Sequence, residues 1–282
     1  MTWIQSSVFP MVHSQIRYDD GAAYERMMGA WSRIAGESFL EWLAPGPGLR
    51  WIDIGCGSGA FAELIVERCA PAEVQGIDPS EAQLSFARAR PAGRIAKFHR
   101  GDALALPFGE DRFDAAVMAL VIFFVPDPIR GVAEMARVVR PGGTVATYVW
   151  DMMGGGHPLA LMHAEMHAMG FAPTLPPRSD VSAAEALRSL WMNADLQAVE
   201  VREIAVQRTF VDFDDFWTTS MMAATVSQAI AAMAPGDAEL LKMRIRARLP
   251  ADATGRITHG ARANAIMGRV PTQSRKLNSA SR

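Results

Sequence analysis

The sequence predicts a doubly wound α/β fold, a mostly parallel sheet wrapped by helices, on three observations. Short apolar runs alternate with helix-period stretches through the first 150 residues, the pattern of strands joined by crossover helices. One run, WIDIGCGSGAF at residues 51–61, ends in glycines at alternate positions just before a helical stretch, a device that turns backbone N–H groups toward a ligand. Finally, 282 residues, 50% of them hydrophobic and 21% charged, suffice for a large core.

The elements follow in order. From Tyr24 to Leu43 the residues Met27, Met28, Trp31, Ile34, Phe39 and Leu43 recur at helical spacing until APGPG at 44–48 stops them. One or two helices over residues 1–48 therefore precede the first strand. RWIDIG reads as that strand, Ala60–Arg68 as a helix, VQGIDP as a strand, Ser80–Arg90 as a helix, followed by the stretch KFHRGDA. FDAAVMALV is the next strand, Pro128–Val139 a helix and GTVATYVW another strand.

After Trp150 the pattern changes. DMMGGGHP and APTLPPRSD bracket a short Met- and His-rich helix, and the helix SAAEALRSLWMNA leads into VEVREIAVQRTF, whose alternation suits an antiparallel strand. A helical stretch from about 213 to 248 ends before Pro250, and ITHGARANAIMG is a last strand. The plan is N-terminal helices over 1–48, one domain over 49–270 with cap insertions at about 151–181 and 211–250, and a polar, disordered tail over 271–282.

Composition narrows the function. The net charge is −2, and the basic residues, all arginine except Lys97, Lys242 and Lys276, are scattered, so no nucleic-acid footprint is expected. Arg244, Arg246 and Arg248 alternate with apolar residues as a solvated helix face would. Cys56 and Cys69 are too few for a disulfide framework and match no zinc spacing. The N-terminus lacks the features of a signal peptide, and the longest uncharged apolar run, residues 115–126, is shorter than the ~20 residues of a membrane span. A cytoplasmic protein is expected.

The glycine loop admits two readings. As Gly55-x-Gly57-x-x-Ala60, with Asp78 ending the next strand, it fits a dinucleotide fingerprint and a nicotinamide-dependent oxidoreductase. Against that, Tyr18, Tyr24 and Tyr148 have no lysine four positions on to handle a proton. As Asp53-x-Gly55-x-Gly57-x-Gly59 it resembles the first motif of class I S-adenosylmethionine-dependent methyltransferases. GIDPS at 76–80, GDALALPF at 101–108, FDAAVMALVIFFVPD and RVVRPGG resemble that family's later motifs, in order and at the usual intervals. The arrangement is similar to the ubiquinone/menaquinone biosynthesis methyltransferase group.

The resemblance implies a Rossmann-like sheet of seven strands in the order 3-2-1-4-5-7-6, the seventh antiparallel, with S-adenosyl-L-methionine as cofactor. It assigns cofactor contacts to Asp53, Gly55, Cys56, Gly57, Gly59, Asp78, Pro79, Asp102, Ala103 and Leu120. Asp78 would accept hydrogen bonds from both ribose hydroxyls, Asp102 and the Ala103 backbone would meet the adenine, and Asp53 with the loop would face the methionine part. Cys56 serves as a small loop residue rather than a nucleophile.

The acceptor is read from the insertions. Where the quinone enzymes carry histidines after the fourth strand, this chain has Ile122, Phe123 and Phe124. Met152, Met153, Met162, Met166, Met221, Met222, Phe216 and Trp217 suggest an apolar pocket for a small, hydrophobic or aromatic acceptor. His157, His163 and His167 are the candidate bases, the last two one helical turn apart, and no metal site is expected. A non-catalytic binding protein of the same fold is the third reading.

Overall fold

The computed structural model describes residues 25–272. Tyr18, Tyr24, any helix before Glu25 and the expected disorder from residue 273 lie outside the described residues. After a π-helical turn at Glu25–Gly29, α1 (Ala30–Leu43) leads to β1 (Arg50–Ile54), α2 (Ala60–Cys69), β2 (Glu73–Asp78), α3 (Glu81–Ala89) and β3 (Ala96–Arg100). Then come β4 (Phe113–Ala119), α4 (Pro128–Val138), β5 (Val139–Trp150), α5 (Ala160–Ala168), α6 (Ala184–Asn193) and β6 (Gln197–Phe210). Three helices, α7 (Phe213–Met221), α8 (Ala224–Ala231) and α9 (Pro235–Ala247), precede β7 (Ile257–Arg269).

The strands form one sheet in the order β3-β2-β1-β4-β5-β7-β6. Neighbours from β3 to β5 are parallel, whereas β7 runs antiparallel to both β5 and β6. β1, β2, β4 and β5 are buried along most of their length, as strands covered by helices on both faces must be. β6 exposes alternate residues because it lies at the edge.

Local chemistry sets the boundaries. The Ser80 side chain accepts a hydrogen bond from the Gln83 N–H at 3.3 Å and opens α3. Asp127 caps α4 by accepting from the Arg130 N–H at 3.1 Å, with Pro128 in the first turn. α1 lies close on α2 and β5: a Cβ at Gly36 would come within 2.8 Å of Leu64 and 3.1 Å of the Tyr148 hydroxyl. At the far edge of the sheet, Asp114 on β4 ties Arg50 of β1 to Arg140 of β5, and the Arg50 guanidinium holds its carboxyl well below the usual range.

Three expectations need correction. The fourth strand stops at Ala119 rather than Val121, because Leu120 adopts φ +60°. The fifth strand begins at Val139, and its pairing with β4 is irregular between Phe113 and Ala115 before it becomes regular at Thr144. The stretch 213–248 is three helices, broken near Met222 and before Pro235. Arg244, Arg246 and Arg248 are exposed, as a solvated helix face requires, and two of them also reach the buried Glu165: Arg244 and Arg248 each bind it at 2.7 Å and join the end of α9 to α5. No helix among the described residues is long and apolar enough to cross a membrane.

The topology decides where the chemistry sits. β5 and β6 are both antiparallel to β7 and therefore parallel to each other. The segments that follow them therefore leave from the same edge of the sheet as the glycine loop after β1.

Candidate functional site

β1 delivers Asp53 to this edge, and the chain then turns through three glycines with φ of +73° at Gly55, +51° at Gly57 and +80° at Gly59. Side-chain-bearing residues avoid this left-handed region. A Cβ at Gly55 would also overlap the Val121 methyl groups, and one at Gly59 would lie 2.9 Å from the Ala87 Cβ. Gly57 is different: the nearest atom to its added Cβ is Gln83 Oε1 at 4.0 Å. That side of the loop is open, leaving the backbone approachable.

The loop is bonded to β2 at every turn. The N–H groups of Gly55 and Cys56 donate to the Ile77 carbonyl at 2.7 and 3.0 Å. Asp78 accepts from the Gly57 N–H at 2.9 Å through one carboxylate oxygen and from the Ser80 N–H at 2.8 Å through the other. Its burial raises its pKa, and those two amides pull against the rise. From outside, Arg90 holds the Ser58 carbonyl at 2.7 Å and Glu63 at 2.8 Å. Arg90 has no motif of its own, and its role appears only when the end of α3 lies beside the loop.

Asp53 is wholly buried, and among the described residues neither of its oxygens has a hydrogen-bond partner. Burial, and then the neighbouring Asp78 carboxylate, push it up to about 7; the Ala62 amide opposes this without reaching bonding geometry. A buried carboxylate of this kind is costly unless something positive or hydrogen-bonding meets it. Cys56 is buried too, and its thiol is pushed far up by burial and by Asp53 and Asp78, which makes it a poor nucleophile.

The other expected contacts adjoin this network. Pro79 is exposed beside Asp78, and the Gly101 N–H donates to the Asp78 carbonyl at 3.1 Å, placing Asp102 at the same corner. Asp102 is exposed and forms a turn, accepting from the Leu104 N–H at 2.9 Å, with Ala103 half-buried between them. Leu120 is half-buried and donates its N–H to the Tyr148 carbonyl at 2.9 Å. It lies beside Val121, the residue packed on Gly55.

The histidines divide differently from the sequence pattern. His157 and His163 are buried with ring centroids 4.8 Å apart, while His167 is exposed one turn further along α5. Burial, then His163, lowers His157 to about 3, and burial lowers His163 to about 4, so both are neutral imidazoles. Among the described residues, neither nitrogen of His163 has a hydrogen-bond partner. Nearby, Asp151 accepts from the Gly154 N–H at 2.8 Å and pairs with Arg262 at 2.7 Å, fixing the glycine-rich turn that carries His157.

The expected apolar lining also divides. Met162, Met166 and Phe216 are fully buried, with Phe216 packed among Phe210, Phe213 and His259. These are core residues, whereas Met152, Met221, Met222 and Trp217 are half-buried and Met153 is exposed. A cavity of about 300 Å³ bordered by Glu37, Leu40, Ala44, Arg68 and Cys69 lies where α1 and α2 end, at the opposite edge of the sheet. It does not serve the loop.

Residues 52–147 match a family model described as a methyltransferase domain. The chain is 39% identical over 121 residues to a 2-phytyl-1,4-naphtoquinone methyltransferase of Synechococcus elongatus, covering 41% of this chain and 50% of that protein. It is 34% identical over 151 residues to the ubiquinone/menaquinone biosynthesis C-methyltransferase UbiE of Paracoccus denitrificans, covering 52% and 58%. The chain thus spans half to somewhat over half the length of these relatives. Among solved structures, the YcgJ protein of Bacillus subtilis superimposes with a TM-score of 0.57 at 18% identity, covering 84% of this chain and 98% of that one. That likeness concerns the fold.

Proposed function

We propose, from the premise that residues 52–147 form a class I S-adenosylmethionine-dependent methyltransferase domain, that the chain transfers a methyl group to a small, hydrophobic or aromatic molecule. One observation carries the reading: Asp53, buried and without a hydrogen-bond partner among the described residues, stands beside a glycine loop whose Gly57 face is open. A cofactor with an ammonium, a ribose and an adenine supplies what these groups lack. The nicotinamide alternative loses ground because a dinucleotide sheet in the order 3-2-1-4-5-6 has no antiparallel strand inserted as β7 is here.

In this reading Asp53 and the open backbone face at Gly57 meet the methionine part, Asp78 the ribose hydroxyls, and Asp102 with the Ala103 backbone the adenine edge. Gly55, Cys56, Gly59, Pro79 and Leu120 shape the walls. Both oxygens of Asp78 already accept one backbone N–H, and each carboxylate oxygen has a further lone pair for a ribose hydroxyl. S-adenosylmethionine, when bound, supplies a methyl already activated on a sulfonium. The protein's contribution is then to orient the acceptor and exclude water, and orientation alone lowers such barriers greatly.

The relatives named for naphthoquinone and ubiquinone/menaquinone methylation favour an aromatic acceptor. The two insertions after β5 and β6 are where this chain would choose among such molecules, as loops at the ligand edge do. We place the protein in the cytoplasm, which suits its two free, buried thiols. Calorimetric titration with S-adenosylmethionine, S-adenosylhomocysteine and nicotinamide nucleotides tests the cofactor; binding of only a nicotinamide nucleotide refutes it. Release of S-adenosylhomocysteine across an acceptor panel tests turnover and separates an enzyme from a binding protein.

A further inference from the structure

The buried histidines of the first insertion are not absorbed by the cofactor site. His163 is nine-tenths buried, with both ring nitrogens unpartnered among the described residues, and it leans on His157. An imidazole has one donor and one acceptor nitrogen when neutral, and leaving both unmet in a dry setting is unfavourable. A core position with no other role would favour a leucine or phenylalanine of similar volume.

The surroundings define what could meet it. His163 sits on α5 between the fully buried Met162 and the buried Glu165, and that carboxylate is already taken by Arg244 and Arg248. His157 is flanked by Asp151, committed to Arg262, and by His259, whose Nε2 lies 3.0 Å from the Pro158 carbonyl. Among these described residues, the charges beside the pair are already matched, and burial keeps both imidazoles neutral. A neutral group that both donates and accepts hydrogen bonds suits this pair.

We infer that His163, backed by His157, is the polar recognition group of the acceptor site, and that it takes the hydroxyl of a phenol-class molecule whose body is apolar. This rests on the methyltransferase reading for the word acceptor, but the binding itself does not require the cofactor. The residues come from the segment after β5, which leaves the sheet at the same edge as the glycine loop, and not from Ile122–Phe124 after β4.

The test is binding of 2-naphthol against naphthalene, titrated by fluorescence with and without saturating S-adenosylhomocysteine. Imidazole resonances of isotope-labelled histidine are followed in parallel, with exposed His167 as the internal control. Wild-type protein is expected to prefer 2-naphthol at least tenfold and to shift the His163 resonance. His163→Phe, which keeps the ring and removes both nitrogens, should erase the preference while leaving the S-adenosylhomocysteine dissociation constant and naphthalene binding unchanged. His163→Gln should restore part of it. A wild-type protein that binds neither compound, or prefers neither, overturns the inference, as does an unaltered preference in His163→Phe. Failure to bind S-adenosylhomocysteine overturns the cofactor reading instead, and the titration without it still decides the role of His163.

Discussion

Replacing Gly55 and Gly57 by alanine should have different consequences, although the two residues share a loop and a sign of φ. At Gly55, φ +73° forces alanine into the left-handed region, at about 1–2 kcal/mol. Its Cβ also overlaps Val121, and overpacking of this kind costs about 1–3 kcal/mol. The sum, about 2–5 kcal/mol, corresponds to a fall in melting temperature of roughly 5–20 °C. Val121→Ala removes the overlapping methyls, so the double variant should recover about 1–3 kcal/mol relative to additivity. At Gly57 only the backbone term of about 1–2 kcal/mol applies, because the nearest atom to its Cβ is 4.0 Å away. Its new methyl stands on the open face, and S-adenosylhomocysteine should bind at least tenfold more weakly. Thermal unfolding and calorimetry measure the two effects. Equal destabilisation by both variants, or an unchanged dissociation constant in Gly57→Ala, refutes the distinction between a packed glycine and an approached one.

Other outcomes follow from the charges. Asp78→Ala removes the acceptor of two loop amides and should weaken S-adenosylhomocysteine binding by about 1–3 kcal/mol by calorimetry; no change would reject the ribose assignment. Asp53 is raised to about 7 in the fold, so its contribution to stability is full below the unfolded value near 4 and is lost as pH rises to about 7, by something of the order of 4 kcal/mol. Asp53→Asn should flatten that limb in urea unfolding at pH 4 to 8. If the cofactor's ammonium meets Asp53, binding near pH 6 should also release a proton, visible as a dependence of the binding heat on buffer. His157 and His163 act in the opposite sense: with folded values lowered to about 3 and about 4, the stability they contribute is present above about 6.5 and is lost as pH falls toward those values. His163→Phe should blunt acid unfolding over that window, and an unchanged acid limb would place the loss elsewhere.

The sheet was legible because its strands are apolar runs of ordinary length and its turns carry glycine or proline. WIDIG, VQGID and FDAAVMA need only their own composition to be read as strands, and the glycine loop announces itself by spacing. Boundaries failed where a tertiary contact overrides the local pattern: Leu120 continues an apolar run yet turns left-handed, with its N–H drawn to the Tyr148 carbonyl. The pairing of the histidines was out of reach for a related reason. His163 and His167 share helical spacing, but the partner of His163 is His157, brought back by the turn that Asp151 and Arg262 fix across 111 positions of sequence. Arg90 and Glu165 were invisible for want of any local signature, since each acts on a segment remote in sequence. The apolar character of Met162, Met166 and Phe216 was read correctly, but periodicity cannot separate a residue that fills a core from one that lines a pocket.

The Glu165 clamp bears on how such a protein could change its substrate. The carboxylate is buried on the first insertion, whereas both its arginines are on the second, so neither insertion is self-sufficient. A chimera that exchanges residues 151–181 alone strands Arg244 and Arg248 without their anion, and one that exchanges 211–250 alone leaves a buried carboxylate uncompensated, which is the more damaging error. The two segments are coupled through this one carboxylate, and grafts that move them together should fold where grafts of either half fail.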